Sequence, residues 1–437
     1  MNGAAKALEL HINFASAVDF HGYMRAGLNY SSQGGDTYCF GNGNQGHLLG
    51  RLGDECDTYA ELALSQEFFN KGDNKFTVHT LVAYGTYENN YDNQGNSWHG
   101  VGLGGDRAGA DGHSTWNGQR HSLPEAYVDH EMPSGITLWA GKRFYQRKDI
   151  HIMDYYYLNN SGNGVGVENI GLGTVSVALI KHQVDQEVGD ALNSYKFDVR
   201  WNGIQMWENA SLDIAMIYAW QNLSQAQKDA GTHSNTGFMA LVEYTQGAFF
   251  GGFNKLSFTY GHNALDYVGA INGGNHAGDN VIPYNERGNG FRFIDWGVVE
   301  QGSWNLGYAF LAAHKSPSNG EGRNDWGANW SHPNGNDYAI VLRPAYKWSD
   351  FTSTVLEFGW TNQTNTGWNG WATGYKNRVS ATKLTLAQQW SPMTHFWARP
   401  SIRVFASWLS GDLMNKSYTG KKDNHEFILG AQVEAWW

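Results

Sequence analysis

From Glu426 to Trp437 the chain alternates almost without a break. Phe427, Leu429, Ala431, Val433, Ala435 and Trp437 share one parity, while Glu426, Ile428, Gly430, Gln432, Glu434 and Trp436 share the other. A period of two sends successive side chains to opposite faces, so the segment is predicted to be a β-strand with one apolar and one largely polar face. Other segments repeat the pattern. Val18, Phe20, Met24, Ala26 and Leu28 oppose Asp19, His21, Tyr23, Arg25 and Asn29; Leu356, Phe358 and Trp360 oppose Glu357 and Gly359; Ile402, Val404, Ala406 and Trp408 oppose Arg403 and Ser407. Stretches rich in Gly, Asn and Asp separate such segments along the whole chain, as turns and loops would.

Two solvents could suit the apolar face: the core of a large secreted sandwich or propeller, or lipid around a membrane barrel. Three features favour lipid. Aromatics cluster where strand ends are expected, at Tyr155-Tyr156-Tyr157, Phe249-Phe250 and Trp436-Trp437, as in the girdles at a membrane interface. Long polar loops, over 87–120, 314–337 and 361–378, alternate with short turns. Trp437 closes the last outward face with an aromatic ring.

Composition narrows the choice further. With 437 residues, 55 glycines, 8 prolines, 14% aromatic and only 16% charged residues, the chain reads as one large β architecture rather than a helix-rich enzyme or a disordered tail. No run of 18 apolar residues exists for a transmembrane helix, which leaves a barrel in play. A net charge of −11 sets nucleic acid aside as a partner. Cys39 and Cys56 lie in a Gly/Asn/Asp-rich stretch; they read as a pair in an oxidising compartment, against two unpaired thiols in a cytosolic protein. Ala15-Ser16-Ala17 has the form of a signal-peptidase site, but Glu9, His11 and Asn13 interrupt the stretch before it. Residues 1–17 are therefore read as an N-terminal extension or expression remnant, and 18–437 as a single barrel. There is no phosphate loop, His-Glu-x-x-His or Gly-x-Ser-x-Gly motif; the glycines of Gly162–Gly166 read as turns, and no cofactor or metal is assigned.

Five blocks carry a resemblance: Val18–Arg25 (VDFHGYMR), Arg51–Glu61 (RLGDECDTYAE), Trp139–Arg147 (WAGKRFYQR), Trp397–Phe405 (WARPSIRVF) and the pair Trp436-Trp437. Through them the chain resembles the maltoporin family of outer-membrane sugar channels, over nearly its whole length after residue 17. The resemblance implies an all-β fold: an antiparallel transmembrane β-barrel of 18 strands with long extracellular loops and short periplasmic turns, assembled as a homotrimer in the outer membrane of a Gram-negative cell. It also implies a third loop folded inward near 144–166 to narrow the pore. Sharing 437 residues among 18 strands gives about 24 for each strand with its connection, ample for the ten or so that a tilted strand needs.

The family moves sugar along a line of aromatic rings flanked by charged groups. Rings suit the apolar C–H faces of a glucopyranose, and ionised side chains suit its rim of hydroxyls. Each contact must be weak for the sugar to move on. Position by position, the resemblance assigns the aromatic line to Tyr23, Tyr59, Phe253, Trp397 and Trp436. Alternation supports it independently. Tyr23 shares parity with Arg25, Tyr59 with Glu61 against Leu62 and Leu64, Phe253 with Lys255 and Ser257, and Trp436 with Gln432 and Glu434. Trp397 shares parity with Arg399 and Arg403, although Pro400 could shift the register. The bland alternative for each ring is a girdle position or packing beneath an inward loop. A sixth ring, from the second loop of a neighbouring subunit, is assigned to Trp98 rather than Tyr91 or Trp116.

The polar track carries over to Arg25, Arg51, Glu61, Arg147, Asp149, His151 and Asp154, with Tyr156 at the constriction. Bracing of an inward loop by the same charges is the alternative role. Mixed signs suit a neutral, hydroxyl-rich solute better than an ion. One position departs from the family: Pro124 stands where it places an arginine before Glu125-Ala126, leaving Arg120 as the possible substitute. Cys39 and Cys56 match the family's first-loop disulfide, which favours maltodextrin over sucrose. The expected function is facilitated diffusion of maltose and maltodextrins, with ions passing too and no enzyme chemistry. The alternatives are a porin for another saccharide (sucrose or a β-glucoside), a less selective porin, or a secreted carbohydrate-binding protein or glycosidase. A glycosidase needs two carboxylates at a defined separation, and Glu61, Asp149 and Asp154 are better explained by a pore.

Overall fold

The computed structural model describes residues 18–34, 37, 48–55, 57–87, 119–171, 174–184, 192–229, 231, 234, 236–269, 271, 288–317, 335–364, 378–412 and 424–437. Its first strands are β1 (Asp19–Ser31), β2 (Asp57–Lys71), β3 (Asn74–Tyr87), β4 (Gln119–Glu131) and β5 (Thr137–Arg143). Two short strands follow, β6 (Lys148–Ile150) and β7 (Tyr155–Leu158), then β8 (Gly162–Ile170), β9 (Val175–Val184), β10 (Leu192–Trp207), β11 (Ala210–Asn222), β12 (Thr236–Phe249) and β13 (Gly252–Asn263). The last are β14 (Gly288–Gln301), β15 (Trp304–Pro317), β16 (Gly335–Lys347), β17 (Thr352–Thr364), β18 (Arg378–Trp390), β19 (Ser401–Gly411) and β20 (His425–Trp436). All but β6 and β7 join one antiparallel sheet of 18 strands. It closes on itself, because β1 pairs with β2 on one side, Arg25 opposite Tyr59, and with β20 on the other, Tyr23 opposite Trp436.

The expected alternation is present, turned outward. Leu28, Leu64, Phe258, Leu386 and Val404 stand half to two-thirds exposed on the outer face, while Glu357, Thr385, Ser407 and Glu434 point inward and are buried. A water-soluble barrel would show the reverse, so the outer belt is a lipid-facing surface and the barrel spans a membrane. No described helix is long and apolar enough to cross one. Tight turns gather at one end. Gly72 and Asp73, at φ of 59° and 60°, join β2 to β3, and Phe250 and Gly251, at 46° and 83°, join β12 to β13. Positive φ at both central residues matches the right-handed twist of the flanking strands. The 391–400 connection between β18 and β19 lies at that same end.

Three segments fold into the lumen. Residues 144–161, with β6 and β7 as a hairpin, bury Ile150, Ile152, Met153, Tyr155, Tyr157 and Leu158 against inward Ala215, Ile217, Met239, Leu241, Ile294, Leu311 and Val341. Residues 264–269 join the same apolar cluster through Leu265 and Val268, as does Ile271. Residues 48–55 lie on the wall of β16–β20, with Leu49 and Leu52 against Val355, Ala381 and Phe405. The Lys383 ammonium clamps this segment by donating to the Gly50 and Leu52 carbonyls, at 2.9 Å for Leu52, while the Leu52 amide donates to Glu357 at 3.0 Å.

These placements correct three sequence expectations. Tyr155-Tyr156-Tyr157 is not a girdle: Tyr155 and Tyr157 are fully buried inside the barrel, because alternate rings of the inward hairpin pack on its wall. Gly162–Gly166 is not a turn but the start of β8, where Gly166 leaves room for the Trp139 indole. The inward segment therefore ends at 161 rather than 166.

Candidate functional site

Register in three neighbouring strands builds the site. Across β20, β1 and β2 one row reads Trp436, Tyr23, Glu61, and the next reads Glu434, Arg25, Tyr59. Rings and charges thus alternate over one inward patch. The Tyr23 and Tyr59 rings lie 6.0 Å apart, the Arg25 guanidinium stands 5.1 Å over Tyr59, and the Tyr59 hydroxyl donates to Glu61. Such cation–π contacts hold a planar cation without removing its hydrogen-bond donors.

A second group of rings lies towards the tight-turn end. The His151 ring sits 5.4 Å from Trp397 and 5.4 Å from Trp436, and Trp397 stacks at 19° on Phe253 with centroids 6.5 Å apart. Tyr23, Phe253, Trp397 and Trp436 are all partly exposed within the lumen. Trp397 is not on a strand: it lies in the 391–400 connection between β18 and β19, so strand parity does not place it. Its packing against Phe396, 4.8 Å away, does.

The inward segment brings in the rest of the polar set. The Arg147 guanidinium is sandwiched between Phe144, 3.5 Å from its centroid, and Tyr156, at 4.6 Å. Asp149 pairs in register with Tyr156. Asp154 adopts the left-handed conformation, which an aspartate tolerates, and its carboxylate meets Arg25 at 3.1 Å. Arg51, carried by 48–55, donates to the Tyr23 hydroxyl, pairs with Glu55 and reaches His151 Nδ1 at 3.4 Å.

Burial tunes the groups of the inward segment. It pushes the Asp149 carboxyl above its ordinary range against the opposing pull of Arg147, and it pushes His151 well below the imidazole range, helped by Arg51 and Arg399. In the 391–400 connection, burial and the neighbouring Arg403 and Arg51 pull Arg399 down to about 10, so it stays cationic at neutral pH.

Every described member of the expected ring line and polar track faces this lumen. Trp98, Cys39 and Cys56 lie outside the described residues. Arg120 falls in β4 opposite Gly85, with its side chain outside the described residues. Pro124 is buried at a break in the β3–β4 register, where a missing amide costs no ladder hydrogen bond. Sequence reasoning misses Glu55, Glu434, Arg399 and Arg403. Glu434 shares inward parity with Trp436, and Arg399 lies inside the Trp397–Phe405 block, so both carry a signal that could have found them.

Comparison with known proteins follows the same lines. The profile of the LamB porin family matches residues 18–437. The maltoporin of Photobacterium profundum is 34% identical over 431 residues, covering 96% of this chain and 94% of its own length. The maltoporin of Vibrio cholerae serotype O1 is 35% identical over 454 residues, covering 99% and 98%. Among solved structures, Acinetobacter baumannii OccAB2 aligns with a TM-score of 0.50 at 8% identity, over 97% of this chain and 98% of that one, a likeness of fold alone.

Proposed function

The chain belongs to the LamB porin family, a multi-pass outer-membrane sugar channel of maltoporin type, and on that premise we propose that it carries maltose and maltodextrins by facilitated diffusion. Tyr59, Tyr23, Trp436, Trp397 and Phe253 form the sliding surface for the sugar faces. Arg25, Arg51, Glu61, Arg147, Asp149, His151 and Asp154 form the track for its hydroxyls, with Tyr156 at the narrowing. Trp98 supplies a sixth ring from a neighbouring subunit of a homotrimer, and Cys39 is bonded to Cys56.

One observation carries this reading: partly exposed rings on β1, β20, β13 and the 391–400 connection, with the buried ring of Tyr59 beside Tyr23, interleave in the lumen with ion-paired charges of both signs. Aromatic surface wetted inside a channel serves a solute with apolar faces, and mixed charge serves one without net charge. Pro124, in place of a hydrogen-bond donor, favours a second reading, in which the preferred saccharide is sucrose or a β-glucoside.

Planar-bilayer recording separates the two. Maltohexaose is expected to interrupt the ion current transiently, and sucrose or cellodextrins to do so less. An uninterrupted current at millimolar maltohexaose sinks the maltodextrin reading, and stronger interruption by sucrose or cellodextrins supports the second.

A further inference from the structure

The inward face of β20 holds a carboxylate outside both the ring line and the polar track. Glu434 is 2% exposed and stands two residues before Trp436. Its two oxygens divide their partners. Oε1 accepts from the Tyr23 hydroxyl at 3.4 Å and lies 3.3 Å from the Arg51 guanidinium and 3.5 Å from His151 Nε2. Oε2 accepts from Arg399 Nε at 2.8 Å and from both terminal nitrogens of Arg403, at 3.1 and 3.2 Å. These partners come from β1, the 48–55 segment, the inward hairpin, the 391–400 connection and β19, which meet at this one side chain.

Two of the cations bear directly on rings. The Arg399 guanidinium lies 4.2 Å over Trp436, and that of Arg51 lies 6.0 Å from the Tyr23 centroid. Arg51, Arg399 and Arg403 crowd one another, and a second carboxylate beside them, Glu55, pairs with Arg51 and stands 3.7 Å from Arg25. In a shielded site such like charges repel strongly unless an anion sits among them.

We propose that Glu434 is the positioning residue of this channel and sets its charge preference. By gathering Tyr23, Arg51, His151 and Arg399 on one carboxylate it fixes the surface that the sugar meets. By neutralising the arginines it keeps the lumen from selecting anions. The first half rests on the sugar-channel reading, and the second does not.

The test compares wild-type channels with Glu434→Gln, Glu434→Asp and Arg403→Gln in planar bilayers. It reads the dissociation constant of maltohexaose and the reversal potential in a potassium chloride gradient. Glu434→Gln keeps the shape but not the charge: sugar affinity falls on the order of tenfold, and the reversal potential shifts towards chloride. Glu434→Asp keeps the charge on a shorter arm, so the ion preference stays at the wild-type value while sugar affinity falls. Arg403→Gln shifts the reversal potential the other way, towards potassium, and decides the charge question if Glu434→Gln does not insert. A Glu434→Gln channel with unchanged reversal potential and sugar affinity within about twofold of wild type overturns the proposal, as does Arg403→Gln moving the potential towards chloride or not at all. If the wild type shows no sugar block, the sugar reading falls, and the reversal potentials alone judge the role of Glu434.

Discussion

The indole of Trp397 lies nearly parallel to the ring of Phe253, with centroids 6.5 Å apart and planes 19° from each other. One ring rides on the connection after β18 and the other on the second residue of β13, so the pair joins a turn to a strand far from it in sequence. On the proposed sliding surface, replacing either ring removes one of the faces offered to the sugar. Trp397→Ala is expected to weaken maltohexaose block on the order of tenfold while ion conductance changes little, as read by fluctuation analysis of the sugar-blocked current.

Arg147 separates charge from shape. Its guanidinium plane fills the gap between Phe144 and Tyr156, a role that an ammonium on a flexible stem does not reproduce. Arg147→Lys should keep the ion preference but lower maltohexaose affinity several-fold and add open-channel noise as Tyr156 gains freedom. Single-channel traces of the two proteins show the difference directly.

The clamp on 48–55 is a stability element as much as a functional one. Lys383 is fully buried, 3.0 Å from Glu357, and donates to two carbonyls. Lys383→Met takes the donor from those carbonyls while Glu357 keeps its pair with Arg343 at 2.5 Å, a defect of about 1–3 kcal/mol for each buried acceptor left unsatisfied. The folded barrel should lose its compact gel mobility at a lower temperature, and sugar affinity should fall with it because Arg51 rides on the same segment.

For His151 the direction of the shift fixes the sign. Burial holds its pKa below the unfolded value, so the ring stays neutral in the folded channel and sugar affinity should vary little between roughly pH 8 and 6. Stability behaves differently. The unfolded chain takes up the proton first, so this group's contribution is present above about pH 6.5 and declines as the pH falls below it. Thermal melts of wild type and His151→Gln across that range should converge towards acid.

How much the sequence discloses depends on what each face meets. β20 and β19 alternate cleanly because lipid lies on one side and polar lumen on the other, and parity alone places Tyr23, Arg25, Tyr59, Glu61 and Trp436 inward. β11 gives no such contrast: Met216 and Tyr218 face lipid, yet Ala215, Ile217 and Ala219 face an apolar lining made by the inward hairpin. Tyrosine suits a headgroup layer and a packed interior equally, which is why composition misplaces Tyr155 and Tyr157. Trp397 needs a turn conformation rather than a periodicity. Glu434 stands on the right face, but its importance depends on Arg399 and Arg403 arriving from another part of the chain.

Eighteen strands alone would enclose a wide bore, and the three described segments folded against its inner wall narrow it. The staves seal the membrane, and the calibre is left to insertions that are not themselves strands of the sheet. A descendant of this chain could therefore change its cargo by recasting residues 48–55, 144–161 or 264–269 while keeping every hoop of the cask in place.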